Sequence, residues 1–355
     1  MKKLAALIAA CSLGLAAAAQ EGFVPLEKWD YTAFCSYTNL HPMQVVGADN
    51  NWQIMWALRT AGTSRDLAAQ GIPCTRSQLM LLATQRLLTR TEEGTLKTAV
   101  PILDSLATMR LRRAATATAA AMYEELEPEL RAFAGELTRE GFGDNTFSVL
   151  FSHVLDGTVW EEFDRRKVVH YDGDGSGVWS GCLWFCYPRS EAFRPGTNTL
   201  SSDGQYALHV NWADGDPAFA GRIYADDAQR FFRQSLAREE IDSAATAVGR
   251  ELGLLKEGRL AVPVIRRNGP LSKRVERLTR SLCEAFLRHT DLRQVRESTG
   301  CDSDADAALI LYHEVMWQLS DRLLASGVVR LPHLFADPAH AVPGDMSAVC
   351  FITAE

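Results

Sequence analysis

Between residues 51 and 103 the apolar positions switch from a helical to an extended period, and the switches are sharply marked. NWQIMWALRTAG (51–62) sets Trp52, Met55, Trp56 and Leu58 on one helical face, with Gly62 near the stop. SRDLAAQG follows as a short helix, with Thr63 or Ser64 as N-cap and Gly71 as terminator. IPCTRSQLMLLATQRLL predicts a third helix opening at Thr75, with Leu79, Leu82, Leu87 and Leu88 at packing spacing. LLTRTEEGTLKTAVPIL then predicts two short extended runs around a Glu93-Gly94 turn, ending at Pro101.

Residues 241–265, IDSAATAVGRELGLLKEGRLAVPVI, echo this order: a helix, a Leu-Leu step, a Glu257-Gly258 turn and a strand ending at a proline. Gly94 aligns with Gly258 and Pro101 with Pro263 across a two-residue gap. Each copy leads into helical sequence and then an apolar helix carrying a tryptophan, Trp160 after 59 residues and Trp317 after 54. That spacing suggests a duplication. Residues 167–224 differ: aromatic and β-branched residues punctuated by Gly and Asp predict antiparallel strands and hairpins.

Helix, short helix, tight turn, helix and hairpin is a layout carried here by SRDLAAQGIPCTRSQLMLLATQRLL and RTEEGTLKTAVPI. In this stretch the chain resembles the winged helix-turn-helix superfamily, of the MarR- and ArsR-like kind. The resemblance implies DNA binding with the third helix in the major groove, making Arg76, Gln78, Arg86 and Arg90 the candidate DNA or partner contacts.

The first residues, MKKLAALIAACSLGLAAAAQEG, have the three parts of an export signal: Lys2 and Lys3, an apolar run to Ala16, and Ala17-Ala18-Ala19 before Gln20. The run is too short to span a bilayer, which favours cleavage. Ile8-Ala9-Ala10-Cys11 also resembles a lipobox that would acylate Cys11, and an Ala-rich amphipathic helix of a cytoplasmic protein is the third reading. The expected layout is a signal (1–19), an N-terminal extension (20–50), a first winged-helix-like half with long helices (51–166), a β-rich insert (167–226), a second such half (227–335) and a C-terminal tail (336–355). The fold class is α+β: two mainly helical winged-helix-like halves flanking a small antiparallel β-rich insert. The address is exported, periplasmic or secreted, with the cytoplasm as alternative.

The 355 residues are 47% hydrophobic and 23% charged, which excludes a wholly disordered or collagen-like chain. With one apolar run, at the start, a polytopic membrane protein is excluded too. The net charge of −7 provides no chain-wide field for nucleic acid. Residues 51–115 depart from it, with nine basic side chains against four acidic, a local +5. Beyond the signal the cysteines are Cys35, Cys74, Cys182, Cys186, Cys283, Cys301 and Cys350, an odd set unlike a secreted disulfide framework. Cys182 and Cys186 would lie about 13 Å apart along a strand, too far to bridge.

No motif assigns a reaction. Asp172 to Gly177, DGDGSG, copies the first half of a calcium loop, but the twelfth position is Leu183 where a bidentate Glu belongs, so a hairpin turn is expected. His313-Glu314 opens H-E-x-x-H, yet Trp317 replaces the second zinc ligand. His153 and Asp156, on the equivalent earlier helix, are placed to pair with His313 in a structural hydrogen bond. No nucleophile elbow, P-loop or dinucleotide fingerprint occurs in a suitable context. Neither metal nor cofactor is expected. Trp179, Trp184 and Trp212, with Tyr187 and Tyr206, are candidates for an aromatic ligand platform or for a packed sheet face.

Met80 and Leu81 sit between the packing positions of the third helix and are poor readers of base edges, and Glu92 and Glu93 at the wing tip would repel phosphate. The function expected is therefore an exported, non-enzymatic scaffold for an unknown protein or small-molecule partner. The alternatives are a cytosolic winged-helix regulator, with DNA as partner if the N-terminus is no signal, and an extracytoplasmic carbohydrate-binding or hydrolytic protein using the β-rich insert.

Overall fold

A computed structural model describes residues 23–169, 178–192, 194, 196–202, 206–212, 221–223, 225–237, 241–336 and 349–353, with some side chains among them left out. The expected export signal at 1–19 and the expected 172–177 turn lie outside them. The chain is α+β, its helices joined by small sheets. It divides into two compact units, one drawn from 1–111, 170–191 and 296–307 and the other from 112–169, 192–295 and 308–355.

The first unit opens with strand β1 (Asp30–Tyr37) and helices α1 (Pro42–Val46), α2 (Asn51–Ala57), α3 (Ser64–Ala69) and α4 (Arg76–Thr84). Local chemistry fixes where α3 and α4 start. Thr63 Oγ1 accepts from Asp66 N while the Asp66 carboxylate accepts from Thr63 N (2.7 Å), and Thr75 and Gln78 repeat the exchange. Such a capping residue is worth about 1 kcal/mol over alanine. Gly71 follows α3 at φ +72, the left-handed conformation that satisfies the last carbonyls of a helix. Helix α2 is shorter than the 51–62 pattern suggested, because Gly62 leaves the helical path to bridge Leu96.

Strands β2 (Leu88–Arg90) and β3 (Leu96–Thr98) form the hairpin, with Gly94 at φ +81 in its turn. A three-stranded sheet, ordered β1-β5-β4, joins β1 to β5 (Trp179–Cys186) antiparallel and β4 (Ile102–Leu103) to β5 parallel. Its inner face and the helices enclose Trp52, Ile54, Met55, Leu67, Leu82, Leu87 and Phe185. Trp29 packs edge-on to Trp52 and Trp56, each at 5.2 Å between ring centroids. Gly181 of β5 has φ +117, and any side chain there would run into the carbonyl oxygen of Phe34.

The second unit holds most of the long helix α5 (Ser105–Arg139), a π-helix (Ser148–Thr158) continuing into α6 (Val159–Arg165), strands β6 (Gly196–Ser202) and β7 (Tyr206–Trp212), and helices α7 (Asp226–Ala237) and α8 (Ser243–Glu251). The stretch aligned with the first hairpin again gives a helix, α8, then a hairpin of β8 (Leu255–Lys256) and β9 (Arg259–Leu260), with Gly258 at φ +75. After β10 (Val264–Arg266) come α9 (Pro270–Arg288), α10 (Leu292–Thr299), α11 (Asp304–Ala325), α12 (His333–Ala336) and β11 (Val349–Thr353). Helices α10 and α11 each contribute one end to the first unit. The core here is aromatic: Tyr312 meets Trp160 at 4.7 Å and Phe163 at 4.9 Å, both edge-on, and its hydroxyl donates to Leu155 O (2.9 Å).

One expectation is corrected by the strand partners. The β-rich stretch does not close into a single inserted sheet. β5 pairs with β1, from the supposed N-terminal extension, whereas β6 and β7 join β11, from the supposed tail, in the order β10-β11-β7-β6. Two pairings, β4 with β5 and β10 with β11, are parallel. The cause is physical: alternation along a strand fixes which face is buried, but not which strand will satisfy its backbone edge.

Candidate functional site

The four candidate contacts around α4 have unequal freedom. Arg76 is exposed at the start of the helix. Gln78 is committed, its Oε1 accepting from Thr75 N and Oγ1 and its Nε2 donating to Asn50 Oδ1 (2.9 Å). Arg86 lies just past the helix at φ +55, half-buried, and Arg90 donates through Nη1 to Gly94 O (2.6 Å) across the hairpin. The side chains α4 does present are apolar, Met80 at 59% exposure and Leu81 at 39%.

Trp179 and Trp184 are buried in the first unit, Trp179 donating its Nε1 to Gln85 O and Trp184 packing against Phe34 at 6.0 Å. They are core, with no ring face turned to a ligand. The side chain of Trp212 lies outside the described residues. Tyr206 is buried in the second unit and its hydroxyl donates to Gln229 Oε1 (3.3 Å).

The titratable groups converge instead along the π-helix of the second unit. Its wider turn places Ser152, His153 and Asp156 on the side facing β6 and β7, and π-helical turns recur at functional sites. Ser152 Oγ donates to Asn211 Oδ1 (2.8 Å), and Asn211 Nδ2 donates to Thr197 Oγ1 (3.0 Å). Thr197 and Trp160 Nε1 (3.2 Å) both donate to the Asp156 carboxylate. Burial pushes the Asp156 carboxyl up to about 6, against the pull of His313 and of these donors. His153 meets His209, not His313, with rings 5.3 Å apart. Burial lowers these two imidazoles to about 3 and about 4, His209 adding to the effect on His153, so both are neutral. Thr199 Oγ1 shares a 2.9 Å hydrogen bond with His209 Nδ1.

On α11, His313 Nε2 accepts from Trp317 Nε1 (3.4 Å), and its Nδ1 faces Glu314 (3.8 Å). Burial works to raise the Glu314 carboxyl, but the His313 hydrogen bond and the charges of His313, Arg112 and Arg194 hold it below the usual carboxylate range. Arg194 stacks over Trp317 (5.0 Å) and forms a bidentate pair with Asp321 (2.9 and 3.0 Å). A carboxyl titrating near 6 beside an imidazole can exchange a proton at neutral pH.

Among the described residues, no three His, Cys, Asp or Glu side chains gather as a metal site requires, and no disulfide joins the seven cysteines there. Burial raises Cys35 and Cys301 to about 11 and Cys283 and Cys350 to about 12, which leaves them weak nucleophiles. No helix among the described residues is long and apolar enough to cross a membrane. Neither a protein-family model, nor a curated protein, nor a solved structure matches the chain.

Proposed function

We propose that this is an exported, non-enzymatic binding protein whose winged-helix-like first unit takes a protein partner on the outer face of α4. The observation that carries the reading is the pair Met80 and Leu81, exposed where a DNA-reading helix needs polar side chains. Gln78 and Arg90, the residues best suited to read bases, are already held by Asn50, Thr75 and Gly94. Arg76, one turn before Met80, favours a partner that is apolar at its centre and acidic at its rim.

The test joins two measurements on the full chain from its own host. The first is the N-terminal residue and cell fraction; a chain starting at Gln20 outside the cytoplasm, or acylated at Cys11, is the expected result. The second is duplex-DNA binding between about 50 and about 200 mM salt, where no salt-dependent affinity is expected. A cytosolic chain starting at Met1, with an affinity that falls steeply with salt, would overturn the reading in favour of a DNA-binding regulator. A photo-reactive residue at position 80 should crosslink one protein in cells, and Leu81→Asp should abolish the adduct.

A second reading rests on the π-helix network, whose proton-exchanging Asp156 and neighbouring His313 suit a polar ligand or hydrolytic chemistry in the second unit. Loss of a glycan-binding or hydrolytic activity in Asp156→Asn, with the melting temperature retained, would select it.

A further inference from the structure

Arg59 follows α2 in the first unit, and its guanidinium lies over the Trp56 ring with Cζ 3.2 Å from the centroid. Its Nε donates to Trp56 O (3.2 Å), so ring and carbonyl together fix the plane of the fork, and its two terminal nitrogens make no hydrogen bond among the described residues. Among the described residues no carboxylate pairs with it. The acid that acts on it through space is Asp104, whose Oδ1 is engaged by the backbone N–H groups of Leu106 and Ala107 (3.1 and 3.0 Å). Asp302 is held by Lys97 (2.9 Å) and Asp306 by Ser303 (2.6 Å). A half-buried cation without a counter-ion carries a desolvation cost that an incoming anion would relieve.

Two cavities meet at this side chain. The larger, about 160 Å³, is walled by Phe23, Trp56 and Ile72 and edged by Gln53, Thr60 and Gln70. None of the three polar side chains on its edge is engaged in a hydrogen bond among the described residues. A cavity of about 150 Å³ admits a benzene-sized group, so the space suits a few carbon atoms beside a charged end.

We propose that the Arg59 cavity is a carboxylate-binding site, taking an organic carboxylate with a short apolar group, either free or as the C-terminal residue of a peptide. The two terminal guanidinium nitrogens match a planar carboxylate bidentately. A phosphate dianion would need a second cation, and Lys97, the next one along, is spent on Asp302. Phe23, Trp56 and Ile72 supply the smaller, apolar part of the lining to the side chain, and the carboxamides of Gln53 and Gln70 supply further donors. Burial also lowers the Arg59 pKa, as expected of a cation lacking its partner. The inference is independent of the α4 reading, since it concerns a different set of side chains and a different ligand.

The experiment is calorimetric titration of the full chain with N-acetyl-leucine, its carboxamide, and a pentapeptide ending in leucine with a free carboxylate. The acid is expected to bind at least tenfold more tightly than the amide. Arg59→Gln should lose at least tenfold in affinity, Arg59→Lys should fall between, and Lys97→Gln should match the parent. Far-UV circular dichroism and melting temperature check that each variant folds, and Arg59→Lys keeps the test usable if Arg59→Gln does not. A pentapeptide binding tenfold tighter than the free acid supports a chain terminus as the source; equal affinities support a small carboxylate. Equal binding of acid and amide, unchanged affinity in Arg59→Gln, or no binding of the acid at about 10 mM would each overturn the proposal.

Discussion

The two units dispose of their polar and apolar residues in opposite ways. Among the described residues, seven of the eight large hydrophobic side chains left exposed belong to the first unit: Tyr31, Phe34 and Tyr37 on β1, Met80 and Leu81 on α4, Leu106 and Met109 on α5. The second unit buries its polar chemistry, threading Ser152, Asn211, Thr197 and Asp156 through an aromatic core. Exposed apolar area is an affinity waiting for a partner. A buried polar network is stabilising only while every member is matched, so it specifies one arrangement and punishes any change. Perturbing the second unit's interior should therefore damage its fold, whereas perturbing the first unit's surface should damage only binding.

The largest stability effect is expected at an exception to that rule, inside the first unit's sheet. Gly181→Ala forces a side chain onto the Phe34 carbonyl at a positive φ, and should cost about 3 kcal/mol or more in urea denaturation. An unchanged midpoint would mean that β1 and β5 do not pair as described. Next comes Asn211→Ala, which takes the acceptor from the buried Ser152 hydroxyl and a donor from the half-buried Thr197, and should cost about 2–4 kcal/mol.

Acidification should separate the units by pH. His153 and His209 stay neutral in the fold but take up protons in the unfolded chain below their ordinary value of 6.5. Their contribution is present above that pH and is lost as pH falls toward 4 and then 3. Asp156 acts oppositely: its folded value near 6 exceeds the ordinary 3.8, so its contribution is present below about 4 and is lost as pH rises to about 6. Two histidines outweigh one acid, so the second unit should weaken from pH 7 to pH 4, and His209→Gln should flatten the profile. Stability that rises toward acid pH would show that the histidines are solvated.

Smaller effects sharpen the contrast from the first unit's side. Thr75→Ala removes a capping box and should cost about 1 kcal/mol by thermal denaturation. Leu81→Ser should leave stability within about 0.5 kcal/mol while sharply weakening the crosslink from a photo-reactive residue at position 80.

The sequence discloses what is governed within a few residues. Thr63, Thr75, Gly71 and Gly94 mark helix starts, a helix stop and a turn because capping and left-handed backbone are local matters. One partner of β5, β1, and one partner of β7, β11, lie more than 100 residues away along the chain, and nothing near Trp179 or Tyr206 encodes them. The π-helix is equally silent: in SVLFSHVL every position is buried, so no polar face betrays the period. His153 and His313 sit on matched helices in the sequence, yet His209 is the imidazole that reaches His153. Arg59 reads as one more cation in a basic stretch, since only the packing withholds a carboxylate from it.

The order of strands in the second unit's sheet sets a timetable for its birth. β11 lies inside the sheet, between β10 and β7, although its residues are 349–353 and theirs end at 266 and 212. A ribosome makes the flanking strands first, and both must wait with an open edge until the inner one emerges. A chain stopped short of Val349 would keep those edges and offer them to other chains, so premature termination should yield aggregates and not a smaller soluble protein.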